Sequence, residues 1–311
     1  MPANRSPVRG RPQPRLNLPT VKQLRYLVAL ADHRHFGRAA AACFVTQPAF
    51  STAIKELEGL LNVQLVDRTN RRVTVTDVGR DIVTQARLCL RDLEGLVEMA
   101  RLQQEPLAGR LKLGVIPTIA PFLLPRVLPK LREAFPRLEL YLKEDITQRL
   151  YADLMAGDLD LILIALPYEL RNAEVMKLFR DRFRLACRDG TTLVDPEHYS
   201  FNRLNSESVL LLEDGHCLRD HALAACRIRD IEKVSRFSAT SLHTLLQMVE
   251  NDLGITFIPE MAEGSTLLKN TRLRTYALPE RSYREIGLAW RKGSGRREEF
   301  RRLGEFIRDQ R

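Results

Sequence analysis

Two cysteines nine positions apart carry the most specific chemistry in this sequence. They lie in Leu212-Glu213-Asp214-Gly215-His216-Cys217-Leu218-Arg219-Asp220-His221-Ala222-Leu223-Ala224-Ala225-Cys226. Residues 218–226 are strong helix formers, so Cys217 falls at or just before a helix N-terminus. There the helix dipole, Arg219 and His216 favour a thiolate. A thiolate is the form that attacks a peroxide and becomes a sulfenic acid. Helical geometry puts the two thiols on roughly opposite faces, about 13.5 Å apart along the axis. A disulfide needs its Cα atoms within about 7 Å. The pair therefore cannot close while the helix is intact. Closing it requires unwinding, which would couple a redox change to a change of shape. Spacing alone leaves a second reading open: two unrelated cysteines, one packed and one inert.

Cys43, Cys89 and Cys187 bring the total to five. Cys187, on a strand, reads as core. None of the five sits in a C-x-x-C pair, so no zinc site is expected, nor any other metal or cofactor. His33 and His35 read as surface residues. His221 reads as a solvated position on the helix, and Trp290 as packing. Few cysteines and no secretory signal point to a reducing cytoplasm. No apolar run approaches the roughly 20 residues of a membrane span.

The 311 residues suggest two or three domains. The net charge is +10, and residues 1–106 hold 16 Lys and Arg against 10 Asp and Glu. A basic N-terminal third suits a polyanion. Residues 1–18, rich in Pro and Arg, read as a disordered basic tail or as an arm touching DNA non-specifically.

Residues 19–76 read as one small domain. Thr20 can cap a helix from Val21 to His33, with Leu24, Leu27, Val28 and Ala31 on one face. A short helix from Phe36 to Cys43 and a break at Phe44–Val45 follow. A second helix runs from Gln47 to Leu61, with Thr46 as N-cap and Pro48 in the first turn. Val45, Phe50, Ile54 and Leu57 can bury its inner face. Thr46, Gln47, Ser51 and Lys55 line its outer face and suit base edges and phosphates in a major groove. Val63–Leu65 and Val73–Val75 read as strands of a wing that offers Arg68, Arg71 and Arg72 to a phosphate backbone. A small helical protein-binding domain would fit the same pattern.

Residues 77–106 read as a linker helix. Ile82, Ala86, Cys89, Leu93, Leu96 and Ala100 step by 4, 3, 4, 3, 4. That heptad seam predicts pairing with a partner helix; packing onto its own domain is the alternative. On this seam Cys89 reads as a small buried residue. From Leu111 onward strands and helices alternate, and the run Leu159–Leu166 is apolar throughout, as in a sheet covered on both faces. This predicts an α/β sensor domain over residues 107–311.

Taken together, Leu27-Val28-Ala29-Leu30-Ala31, Phe36, Arg38-Ala39-Ala40, Thr46-Gln47-Pro48-Ala49-Phe50-Ser51, Ile54, Leu57-Glu58, Leu65-Val66-Asp67-Arg68-Thr69 and Thr76-Asp77-Val78-Gly79 resemble the DNA-binding domain of LysR-type regulators. The resemblance implies an α+β multi-domain chain: a winged helix-turn-helix, a linker helix, and a two-lobed α/β sensor like periplasmic binding proteins. The lobes would comprise residues 107–179 with 273–311, and residues 180–272. It also implies a homodimer or homotetramer acting on double-stranded promoter DNA and RNA polymerase, with Arg38, Thr46, Gln47, Pro48, Ser51, Lys55, Arg68, Arg71 and Arg72 at the DNA.

The segment Glu213–Asp220, with Cys226 beyond it, is similar to the peroxide-sensing members of that family. So are Ile116-Pro117-Thr118, Tyr141-Leu142-Lys143-Glu144, Ala239-Thr240-Ser241-Leu242 and Gly254-Ile255-Thr256. That similarity implies a reactive Cys217 and a resolving Cys226. Thr118, Thr147, His216 and Asp220 would position peroxide and water, and Arg284 would place positive charge near Cys217. Thr118 follows a strand and can cap the next helix. The implied function is a cytoplasmic, non-enzymatic regulator, an activator of oxidative-stress genes switched by hydrogen peroxide. A regulator answering to a small organic ligand between the lobes is the alternative, and a thiol peroxidase is a third class.

Overall fold

A computed structural model describes residues 17–69, 72–102, 107–196, 198–200, 204–226 and 231–310. Most of the basic tail and Arg71 lie outside the described residues, as do the side chains of Arg68, Arg72 and Ala100. The chain divides into two compact units, residues 1–91 and 92–311.

The first unit is built on three helices, α1 (Val21–His33), α2 (Phe36–Ala42) and α3 (Gln47–Leu61). Thr20 opens α1 with a reciprocal capping box: the Gln23 amide donates to its hydroxyl at 3.2 Å, and its own amide donates to Gln23 Oε1 at 2.9 Å. His35 is exposed and caps α2, its Nδ1 accepting from the amides of Gly37 and Arg38. Thr46 holds the N-cap position of α3 but makes no side-chain cap. Ala39 and Ala40 let α2 approach its neighbours, and Leu27, Leu30, Phe50, Ile54 and Leu57 fill the core behind them.

The wing pairs β1 (Val66–Thr69) antiparallel with β2 (Arg72–Val75). Its first strand starts three residues later than the alternation predicts. The reason is Glu58, whose Oε1 accepts the backbone amides of Leu65 and Val66 at 2.9 and 3.2 Å, so Leu65 ends the connector with its side chain in the core. Helix α4 (Asp77–Leu102) follows and is tied to α1 by an Arg87–Asp32 ion pair. Val83 and Ala86 are buried, but Cys89 is exposed. On the seam, burial stops at Ala86, so Cys89 does not pack into this chain's own core.

In the second unit, a mixed sheet runs β10 (Leu273–Ala277), β6 (Ala173–Arg188), β11 (Tyr283–Arg291), β5 (Leu161–Leu166), β3 (Gly109–Val115) and β4 (Leu138–Glu144), with β9 (Thr256–Pro259) also on β6. Parallel β4, β3 and β5 join antiparallel β11 in one lobe. All of β5 is buried, the two-faced cover that its continuous apolar run requires. Helices α5 (Ala120–Ala134), α6 (Thr147–Ala156) and α9 (Arg297–Asp309) belong with this lobe, and their buried apolar residues share its core, except Phe122 of α5, which packs into the second lobe's core.

The 16-residue strand β6 belongs to both lobes. Its first half pairs with β11; its second half pairs with β9 and β10. The second lobe adds the parallel pair β7 (Val209–Leu212) and β8 (Val234–Ala239), and helix α8 (Leu242–Glu250), capped by Ser241. Each lobe has its own hydrophobic core. Helix α7 (Cys217–Ala225) stands where the two cores meet.

Candidate functional site

Cys217 is the first residue of α7, with His216 as N-cap. The helix begins there because Gly215, at φ 95°, lets the chain turn sharply out of β7. Cys217 is buried among the first lobe's core residues, whereas Leu218 and Ala222, on the other side of α7, belong to the second core. Cys226 caps the far end of the helix and packs against that second core. Both cysteines are free thiols.

Arg284 lies close enough to Cys217 for its charge to act on the thiol. It is 1% exposed and sits within β11, opposite Asp181 of β6. Its Nε donates to Asp181 Oδ2 at 3.0 Å, and its Nη1 and Nη2 donate to the hydroxyl and carbonyl of Thr118, both at 2.8 Å. Thr118 therefore serves as an acceptor for the guanidinium and does not cap α5, whose N-cap is Ile119. Thr147 opens α6, and its hydroxyl is buried beside the Cys217 thiol.

A small cavity is lined by Ile116, Pro117, Thr118, Ile146, Thr147, Gly215, His216 and Cys217. It leaves about 10 Å³ for the centre of a water-sized molecule, roughly one such molecule. The structure thus gathers Thr118, Thr147, His216 and Cys217 around one cavity with Arg284 behind it. Asp220 is exposed and lines no part of it.

The electrostatics differ from the sequence expectation. Burial, with a smaller contribution from the Asp220 charge, pushes the Cys217 thiol above its ordinary pKa; the Arg284 charge, Thr147 and the Ala165 backbone pull the other way without overcoming it. Arg219 faces elsewhere, pairing with Asp214 at 2.9 Å and donating to the Leu212 carbonyl at 3.3 Å. Burial also lowers the His216 pKa, so the ring is neutral and supplies no positive charge at neutral pH. Burial pushes Cys226 up to about 12 and Cys187, in the core, up to about 11.

Sequence reasoning missed Asp181 and misplaced His221. Asp181 becomes a partner only through the β6–β11 register. His221 is buried rather than solvated, with its Nε2 3.0 Å from the Pro167 carbonyl. Trp290 is buried in the first core, as its apolar bulk suggested.

In the first unit Arg38, Thr46, Gln47, Pro48 and Lys55 are exposed and Ser51 is half-buried. Phe50, Ile54 and Leu57 turn inward, so α3 presents a polar face beginning at its N-terminus. Arg38 is steadied by a hydrogen bond from Nη2 to the His33 carbonyl at 3.1 Å.

Residues 21–80 match the bacterial regulatory helix-turn-helix protein of the lysR family, and residues 104–311 match the LysR substrate binding domain. The chain belongs to the LysR family of bacterial transcription regulators. Within it, the chain is similar to the DNA-binding transcriptional dual regulator OxyR of Escherichia coli K12, with 41% identity over 93% of this chain and 94% of that protein. A full-length OxyR variant from Pseudomonas aeruginosa superposes with a TM-score of 0.76 at 34% identity, covering 93% of this chain and 94% of that one. A hydrogen-peroxide-bound mutant of Corynebacterium glutamicum OxyR superposes with a TM-score of 0.64 at 32% identity, covering 95% and 94%.

Proposed function

We propose that this chain is a DNA-binding transcription regulator switched by hydrogen peroxide through a Cys217–Cys226 disulfide. The observation that carries the proposal is the placement of Cys217: a thiol in a cavity for one water-sized molecule, backed by a buried guanidinium, at one end of a helix whose other end holds Cys226. Organic ligands occupy pockets of roughly 300 Å³ or more, so this cavity favours peroxide over an organic effector.

The chemistry runs in two steps. The Cys217 thiolate attacks one peroxide oxygen, the O–O bond breaks, and the departing hydroxide takes up a proton as water, leaving a sulfenic acid. Cys226 then attacks the Cys217 sulfur and the S–O bond breaks. A second water leaves, carrying the Cys226 thiol proton. Thr118, Thr147 and His216 position the peroxide, and Arg284 favours the thiolate. Asp220 lies one turn from Cys217 and joins this set only if peroxide entry draws it inward.

Because the cysteines sit at opposite ends of α7, forming their bond unwinds the helix and pulls apart residues shared between two cores. Residues 19–76 are the DNA-binding head, with Arg68, Arg71 and Arg72 on its wing, and residues 77–106 are the linker through which two or four copies assemble. Refolding at 215–235 re-spaces the heads and alters contact with RNA polymerase at the promoter. No helix among the described residues is long and apolar enough to cross a membrane, in keeping with a cytoplasmic regulator.

The test is non-reducing peptide mapping and DNA footprinting before and after peroxide, with Cys217→Ser as control. A Cys217–Cys226 peptide together with an altered footprint is the expected result. Absence of the linkage, or an unchanged footprint despite it, overturns the proposal.

A further inference from the structure

His221 lies one helical turn beyond Cys217, on the same face of α7. Its neighbour Asp220 is exposed, yet His221 is only 8% exposed. Its Nε2 donates to the carbonyl of Pro167 at 3.0 Å. Pro167 directly follows β5, the buried strand of the first lobe, whereas Leu218 and Ala222 of the same helix pack into the second core. The bond thus crosses from a helix of one lobe to the backbone of the other.

Since Nε2 donates, the ring is the neutral Nε2–H tautomer, and the buried Nδ1 makes no hydrogen bond. A second proton would have no acceptor there. Burial lowers the His221 pKa; the bond to the Pro167 carbonyl opposes it, the nearby Arg284 charge adds to the lowering, and Asp220 opposes it.

We propose that His221 is a positioning residue that latches α7 in its helical, reduced form. Its bond to the Pro167 carbonyl must break before Cys226 can reach Cys217. The inference rests on the disulfide switch proposed above. His221 lies between the two cysteines in the chain. Closing a span of about 13.5 Å to less than about 7 Å displaces the residues between them, His221 included. The latch therefore stabilises the dithiol relative to the disulfide. It acts on the second step and leaves the attack on peroxide untouched.

The experiment is equilibration of the full chain with glutathione buffers, quantifying the Cys217–Cys226 disulfide in wild type, His221→Leu, His221→Asn and His221→Gln. Leu removes the donor. Asn keeps polarity but is too short to reach Pro167. Gln places an amide nitrogen near the position of Nε2. One buried hydrogen bond corresponds to a shift of up to about tenfold toward the disulfide, a potential about 30 mV more negative. His221→Leu and His221→Asn are expected to show that shift, and His221→Gln is expected to stay near wild type. Dimedone trapping is expected to show Cys217 sulfenic acid forming at wild-type rate in all four.

Wild-type equilibria in both Leu and Asn, or a Gln shift as large as that of Leu, overturn the latch. Equal losses of Tm in the reduced and oxidised forms, with no change in potential, mark a merely structural residue and also overturn it. If His221→Leu does not fold, His221→Asn decides. A wild-type chain that never forms the linkage overturns the disulfide reading itself, a result distinct from failure of the latch.

Discussion

Arg284 and Thr118 are joined twice, the guanidinium donating at 2.8 Å to both the hydroxyl and the carbonyl of the threonine. The third direction of the fork is taken by Asp181, at 3.0 Å and equally buried. Replacing Arg284 by Leu strands a buried carboxylate. Removing one partner of such a pair costs about 3–5 kcal/mol, and urea unfolding is expected to show a loss in that range. Arg284→Lys keeps the charge without the fork and is expected to lose less. A loss below about 1 kcal/mol for Arg284→Leu would contradict a structural role for the pair.

The reactivity of Cys217 is expected to depend on pH. Burial raises its pKa, so the thiol is protonated at neutral pH. Each pH unit below that pKa reduces the thiolate about tenfold. Stopped-flow measurement of sulfenic acid formation is therefore expected to give a rate that climbs steadily from pH 6 to pH 9. A flat profile would mean that Arg284 outweighs burial.

The other buried thiols bear on stability. Cys187, at about 11, and Cys226, at about 12, stay protonated in the fold to higher pH than in the unfolded chain. A raised folded pKa gives stability that is complete below the unfolded value, near pH 8.5, and lost as pH rises through the folded value. The reduced chain is expected to lose urea resistance between pH 8.5 and pH 11. Cys187→Ala should flatten that slope.

Leu93, Leu96 and Val97 on α4 are 41%, 59% and 51% exposed, and Cys89 is exposed beside them. An apolar stripe of this kind is expected to be covered by a second copy. Leu96→Asp should lower the molar mass seen by light scattering to that of a smaller assembly. An unchanged mass would assign the stripe to another role.

At the DNA face, two substitutions are expected to behave differently. Gln47→Ala, at a base-reading position, should reduce discrimination between operator and mismatched DNA by about 1–3 kcal/mol. Lys55→Ala should weaken binding to both sequences alike and lower the salt slope by about one. Titrations at two salt concentrations separate these effects, and identical behaviour of the two variants would refute the division of labour.

The sequence by itself determined what is local. The Thr20 cap of α1, the inner face of α3 and the buried run of β5 depend on propensity and periodicity within a few residues, and all stand in the structure. The separation of Cys217 and Cys226 along one helix was legible for the same reason: a helix fixes spacing by itself. The origin of β1 was misjudged by three residues because Glu58, on another element, takes the amides that a strand would have used.

The tertiary structure decided the surroundings of the thiol. Arg219 is two residues from Cys217 but faces Asp214, whereas Arg284 is distant in sequence and adjacent in space. Asp181 meets Arg284 only through strand register. His221 is buried because the first lobe presents a backbone carbonyl to it. Such partners follow from how strands and lobes are brought together, and no local pattern encodes that.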